Sequence, residues 1–310
     1  MDKGPSIKSK YLQDTTMRYF LEVVRCGSIS EAALRLNVAA SAVSRQISGF
    51  EDKLDTLLFE RRKSGMTPTA AGEVLAAYAF RNQLETEKVA EEIQELQGLR
   101  RGEIKLVCTA GFSLDFIPQV IASFRDKYPH INFKLSIAVA EEVVRRIIEG
   151  ECDLGVTFSQ IPMENLHVAY RCSSPLIAVV PQDHPLAHKK RITLNQLSGY
   201  PIAVPERHIL TRRLFDACCS RQNLMIHPAL ETTSISSLLA FVRYANGVCI
   251  SAHLVVKQYL KDHGLVAVPI VGVDVNDLNI EINTLSGRTL PKAVSAFVEH
   301  LKQAMEEELD

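Results

Sequence analysis

The chain has 310 residues, 46% of them hydrophobic and 23% charged, and a formal net charge of −1. That length predicts two or three domains rather than one small core, and the composition is that of an ordinary soluble globular protein. The near-neutral charge argues against a protein that coats nucleic acid at large, and no apolar run approaches the ~20 residues of a membrane span.

Met1–Thr16 lacks the apolar core of a secretory signal. The seven cysteines are scattered and form no CxxC pair, so reduced thiols in a cytoplasmic protein are expected. Redox sensing would need a low-pKa thiol near positive charge, and Cys172 beside Arg171 is the candidate for it. Charge is unevenly spread. Residues 1–68 hold 11 Lys+Arg against 8 Asp+Glu, and the remainder holds 24 against 28.

Met17, Phe20, Leu21 and Val24 recur at helical spacing and predict a first helix. Ser28 followed by Glu31 reads as a capping box that opens a second helix, running to Asn37. Val38–Ala40 is the expected turn. Ser41 is the expected cap of a third helix, which turns Val43, Ile47, Phe50 and Leu54 inward and leaves Ser44, Arg45 and Ser48 on the other face. Leu57, Leu58 and Phe59 are expected to form a short strand over the core. Arg61, Arg62 and Lys63 follow it, and Gly65 makes a turn. Thr69 caps a long helix whose incomplete apolar stripe (Val74, Leu75, Tyr78, Leu84, Val89, Ile93, Leu96) calls for a partner helix.

From Glu103 the pattern changes to short apolar strands alternating with amphipathic helices. IKLVC, INFKLSIAV and DLGVTF are expected strands, separated by helices about Phe116–Phe124 and Val143–Ile148. This βαβαβ order implies a parallel sheet. A second run adds strands PLIAVV, YPIAV, Ile226–Leu230 and GVCIS, with helices Ile209–Gln222 and Ser234–Asn246. A last strand (LNIEINTL) and helix (Lys292–Glu308) are expected to return to the first lobe. The chain then crosses twice between two α/β lobes and leaves a cleft between them.

Together these residues resemble the LysR-type transcriptional regulators. The likeness is tightest over Met17–Gly72, through Phe20, Gly27–Ser30, Ala32, Ala33, Leu36, Val43–Ile47, Glu51, Leu54, Leu58–Arg61 and Pro68–Gly72. It continues more loosely through Pro118, Phe124, Tyr128, Pro129, Gly150 and Asp153–Gly155. The resemblance implies an α/β chain in three parts. These are a winged helix-turn-helix DNA-binding domain (14–72), a dimerising linker helix and hinge (73–101), and a two-lobed effector domain like a periplasmic binding protein (102–310). Lobe I is expected at about 102–166 and 270–310, and lobe II at about 167–269. It also implies a cytoplasmic homodimer or homotetramer whose partners are double-stranded promoter DNA, a small effector and RNA polymerase, with no membrane and no cofactor. The chain departs from the family where the recognition helix begins. Ala39, Ala40 and Ser41 stand where Ser-Gln-Pro or Ser-Gln-Ser is frequent, which removes a Gln able to pair with a base edge.

A recognition helix enters the major groove by its N-terminal end, which brings Ala39, Ala40, Ser41, Ser44 and Arg45 nearest the bases. Arg45 is the candidate for a bidentate guanine contact or, failing that, a phosphate contact. Ser28, Ser30 and Ser44 can donate to phosphates, and Arg61, Arg62 and Lys63 make a basic wing giving salt-dependent affinity. In the effector domain, strand ends and helix starts offer polar groups suited to an anion such as a carboxylate. The candidates there are Thr109, Ser113, Thr157, Phe158, Arg207, His208, Thr232, Thr233 and Ser234, each Ser and Thr also being a possible helix cap. Arg207 is a candidate to pair a carboxylate bidentately, the alternative being a surface loop charge.

No catalytic residue is assigned, because HExxH, GxSxG, GxxxxGK[ST] and GxGxxG are all absent. Pro185 between His184 and His188 argues against a helical metal pair. A transport solute-binding protein would suit the two lobes but not the helix-turn-helix, and a purely architectural DNA protein would leave the lobes without a use.

Overall fold

The computed structural model describes residues 12–62, 65–96, 102–159, 165–271 and 278–309. They divide into two compact units, one made by the chain up to residue 101 and one by the bulk of the chain from Gly102.

In the first unit, Asp14 caps α1 (Thr15–Cys26) by accepting from the N–H groups of Thr16 and Met17. Ser28 caps α2 (Ile29–Leu36), accepting from Glu31 N. Only half of the expected capping box is seen, because the Glu31 carboxylate pairs forward with Arg35 at 3.2 Å. Asn37 ends α2 in the left-handed region, Ala39 is extended, and α3 runs Ala40–Leu54. The expected cap at Ser41 is therefore corrected. The turn closes before it, Ala39 holds the cap position without a side-chain bond, and Ser41 sits inside the first turn.

Phe20, Val23, Ala32, Val43, Ile47 and Leu58 are essentially fully buried and form the core, with Phe20 against the Phe59 ring at 5.2 Å. Each such large side chain contributes ~1.5–3 kcal/mol relative to exposure. Two residues expected inside lie outside: Leu54 is 46% exposed and Leu57 68%. Asp55 closes α3 in the left-handed region, so the chain turns away there and re-enters the core only at Leu58.

The strand β1 spans Phe59–Arg62 and pairs antiparallel with β2 (Gly65–Pro68), matching Arg61 with Met66 and Arg62 with Gly65. The two arginines, expected after a strand, are strand residues themselves. Gly65 has φ +126°, and a Cβ there would stand 2.4 Å from the Gly27 carbonyl oxygen, which accepts Met66 N at 2.7 Å. Thr69 caps α4 (Ala70–Leu96) as expected. Its Oγ1 accepts from Gly72 N and donates to the Leu57 carbonyl. The first turns of α4 belong to this core, through Ala71, Leu75, Ala76 and Ala79. Val74 (75% exposed), Tyr78, Val89 and Ile93 stay on the surface.

The second unit holds two sheets. The first contains β3 (Gly102–Cys108), β4 (Ile131–Ile137), β5 (Leu154–Ser159), β6 (Leu166–Ser173) and β13 (Asn279–Leu285) in the order β4-β3-β5-β13-β6. The expected parallel arrangement of its first three strands is present, with β13 antiparallel to both β5 and β6. Helices α5 (Ala110–Ser113), α6 (Phe116–Lys127), α7 (Ala140–Ile148) and α11 (Lys292–Leu309) go with it.

The second sheet contains β7 (Leu176–Pro181), β8 (Ile192–Thr193), β9 (Ile202–Pro205), β10 (Leu230–Thr232), β11 (Val248–Ala252) and β12 (Leu265–Val271) in the order β10-β9-β11-β7-β12-β8. Its helices are α8 (Leu210–Arg221), α9 (Ile235–Ala245) and α10 (His253–Asp262). Two lobe boundaries move as a result. Residues 166–173 pair in the first sheet, so lobe I extends to Ser173, and β12 keeps the chain in lobe II to Val271. The strand expected at Ile226–Leu230 is also shifted. Only Leu230–Thr232 pairs, in register with the short β9. The crossover at buried Ser174 is tied twice: its N–H donates to the Leu278 carbonyl, and its Oγ accepts from Leu254 N.

Candidate DNA-binding and ligand-binding sites

The N-terminal end of α3 is open. Ala39, Ala40, Ser41 and Arg45 are exposed, and Ser44 is half-buried. Arg45 is held against its own helix, its Nε donating to the Ser41 carbonyl at 3.2 Å. This leans the guanidinium toward the helix start, the end expected to meet bases. Ser30 is exposed, whereas the Ser28 hydroxyl already serves as the α2 cap.

On the wing, Arg61 is exposed and makes no ion pair among the described residues. Arg62 pairs with Glu60 at 2.6 Å, both side chains being more than half exposed. Such a pair contributes little, so phosphate can displace the carboxylate. Lys63 lies outside the described residues.

Sequence reasoning left out Gln46 and Lys53. They are exposed on α3 and border a groove of about 420 Å³ with Asp14, Thr16 and Tyr78. Gln46 accepts from Thr16 Oγ1 at 3.2 Å, joining α3 to the start of α1. Their spacing of seven residues along α3 was the available signal.

In lobe I, Thr109, Thr157 and Phe158 come together. Thr109 N donates to the Val156 carbonyl, which places it at the carboxyl ends of neighbouring parallel strands β3 and β5. Ligands in open α/β sheets bind at such strand ends. Thr109 Oγ1 is shut off from solvent and has no hydrogen-bond partner among the described residues. Thr157 is buried, its hydroxyl donating to the Phe158 carbonyl, and the Phe158 ring lies 4.9 Å from that of Phe112. Ser113 closes the short α5, donating to the Ala110 carbonyl.

In lobe II, β9 and β10 run parallel with Pro205 opposite Thr232. Glu206–His208 and Thr233–Ser234 thus leave adjacent strand ends. Arg207 and His208 are exposed, and His208 Nδ1 lies 3.5 Å from Glu206 Oε2. Ser234 Oγ accepts from Ser237 N and caps α9, while Thr232 Oγ1 accepts from Ser234 N and closes the turn before it. Thr233 is exposed.

The surroundings of Cys172 do not favour a thiolate. Arg171 is committed to Glu281 at 2.6 Å, and burial pushes the Cys172 thiol up to about 11. His184 is buried with Nδ1 accepting from Leu186 N, while His188 is exposed. No described helix is long and apolar enough to cross a membrane.

Helix-turn-helix, β-wing and two-lobed α/β unit define a DNA-binding regulator with a small-molecule domain. Residues 15–73 match the model for the bacterial regulatory helix-turn-helix protein, lysR family, and residues 97–306 match the LysR substrate binding domain. The transcriptional activator protein LysR of Escherichia coli (strain K12) is 27% identical over 240 residues, 77% of each chain. The RuBisCO operon transcriptional regulator of Allochromatium vinosum is 25% identical over 258 residues, 83% of this chain and 84% of its own. In fold, a full-length OxyR variant from Pseudomonas aeruginosa is similar with a TM-score of 0.69 at 18% identity, covering 93% of this chain and 94% of that one. Full-length CbnR complexed with its target DNA has a TM-score of 0.54 at 19% identity, covering 93% and 98%.

The chain belongs to the LysR family of transcriptional regulators. It is a DNA-binding transcriptional regulator with an effector-binding domain, and its relatives are regulators rather than enzymes.

Proposed function

We propose that this regulator binds promoter DNA as a cytoplasmic homodimer or homotetramer and is controlled by a small organic carboxylate bound between its lobes. The observation that carries the ligand reading is the partnerless, solvent-shielded Thr109 Oγ1 at the strand ends of lobe I. A buried hydroxyl without a partner is costly, and a ligand oxygen relieves that cost. Exposed Arg207 and His208 at the corresponding strand ends of lobe II supply positive charge for a carboxylate.

On DNA, Arg45 reads a base edge, Ala39, Ala40, Ser41 and Ser44 line the groove, and Ser28, Ser30, Arg61, Arg62 and Lys63 meet phosphates. The exposed apolar side chains of α4 (Val74, Tyr78, Val89, Ile93) suit helix pairing between copies. The complex of CbnR with its target DNA supports the DNA reading for a chain of this fold. A ligand that changes the angle between lobes alters the spacing of paired DNA-binding units, the DNA bend and contact with RNA polymerase.

The test is a gel-shift titration against the DNA upstream of its own gene at two salt concentrations, with unrelated DNA as competitor and with carboxylates added. A competitor-resistant complex whose mobility or affinity shifts with a carboxylate is expected. A complex indifferent to every carboxylate but altered by a cation or sugar would sink the carboxylate reading. Binding lost equally to competitor would sink the sequence-reading role.

A further inference from the structure

Arg212, on α8, buries its guanidinium, with its side chain 4% exposed. Nη1 donates to the Pro205 carbonyl at 3.1 Å and lies 3.3 Å from Glu231 Oε2. Nε donates to Asp216 Oδ1 at 2.7 Å. Pro205 is the last residue of β9, and Glu231 lies in β10 opposite Val204. Nη1 therefore joins two adjacent strand ends, immediately before Glu206–His208 and immediately before Thr232–Ser234, while Nε anchors the guanidinium to Asp216 of its own helix.

Stability alone does not explain a cation here. Burying a guanidinium is costly, and an apolar side chain of similar size often stabilises as well or better. Nε and Nη1 are engaged by a carbonyl and two carboxylates, and those two carboxylates already balance its charge. What an apolar side chain cannot do is bond two strand ends and its own helix at once, which the rigid guanidinium does. Lysine's compact ammonium has three donors but one nitrogen, so it cannot hold Asp216 and both strand ends in the positions that Nε and Nη1 do.

We propose that Arg212 is a positioning residue for ligand recognition by lobe II. It holds the Arg207–His208 loop and the Thr232–Ser234 segment at a fixed separation and touches no ligand. The inference rests on assigning those two segments to the ligand surface.

Arg212→Met and Arg212→Lys in the full chain test it, read by amide hydrogen exchange and by calorimetric titration with benzoate and succinate. In Arg212→Met the amides of 206–209 and 232–234 should exchange tenfold faster or more, with β7 and β11 unchanged. Any probe the unaltered chain binds should lose at least tenfold affinity in both variants, with DNA affinity retained. Faster exchange spread evenly over lobe II, or wild-type protection of both segments, would overturn the proposal by making Arg212 a general packing residue or an idle one. Undiminished probe affinity would overturn it too. Local loosening in a chain that binds neither probe would support the tie while removing carboxylates of these kinds from the functional reading. If Arg212→Met does not fold, Glu231→Gln weakens only the β10 arm, and loosening confined to 232–234 is then expected.

Discussion

The carboxylate of Glu51, on the recognition helix α3, accepts the backbone N–H of Leu58 at 2.8 Å and of Phe59 at 3.1 Å. One side chain thus ties that helix to the first residues of the wing. Both amides belong to buried residues, and Glu51 satisfies the two N–H groups where the wing begins. Glu51→Ala should destabilise the DNA-binding unit by ~1–3 kcal/mol, the cost of leaving buried donors unpaired. Glu51→Gln keeps an acceptor and should lose less. Thermal unfolding of the three chains checks this, and an Ala variant as stable as the parent would deny the tie.

Arg45 and Arg61 should fail in different ways. Arg45→Ala should cost ~1–3 kcal/mol on the specific site and much less on unrelated DNA, because a base contact is lost. Arg61→Ala should weaken both DNAs alike and lower the slope of log affinity against log salt by about 1 per phosphate contact removed. Fluorescence anisotropy on both DNAs at several salt concentrations separates the two. Equal losses for Arg45→Ala would make it a phosphate contact.

Local chemistry was legible in the sequence where one residue meets its own near neighbours. Ser28 and Thr69 cap the helices that their spacing predicts. Periodicity failed at Leu54 and Leu57, because an apolar stripe does not record where the helix stops facing the core. It failed again at Leu166–Ser173, whose partner β13 lies more than 100 residues further along the chain. The role of Arg212 was invisible for a related reason. A charge on an amphipathic helix reads as surface until the strands beside it are known.

Gly111, midway along α5 between Thr109 and Ser113, packs against Val255 of α10. A Cβ there would meet Val255 Cγ1 at 2.8 Å. Val255 is buried and β-branched, so it has little room to rotate away. Gly111→Ala should cost ~1–3 kcal/mol by overpacking. Adding Val255→Ala should recover part of that loss, with a coupling of ~0.5–3 kcal/mol in a double-mutant cycle from chemical denaturation. Strict additivity would mean that α5 moves freely off α10.

His184 should make the second unit less stable in acid. It is fully buried, its Nδ1 accepts from Leu186 N at 3.1 Å, and its ring lies 4.4 Å from Tyr200. Burial holds its pKa below the ordinary 6.5, only partly opposed by Asp183. His253 and His300 are lowered for the same first reason, with Lys257 and Lys127 adding to it. A base whose folded pKa is depressed binds fewer protons folded than unfolded. Its contribution is therefore complete above 6.5 and is lost as pH falls through the unfolded and then the folded value. The melting temperature should be flat from pH 8 to 7 and fall between about 6.5 and 5. In His184→Asn, Oδ1 can accept from Leu186 N without titrating. That variant should be less stable at pH 8 through lost ring packing, yet fall less steeply on acidification. An acid-side slope as steep as the parent's would place the sensitivity on His253, His300 or the carboxylates instead.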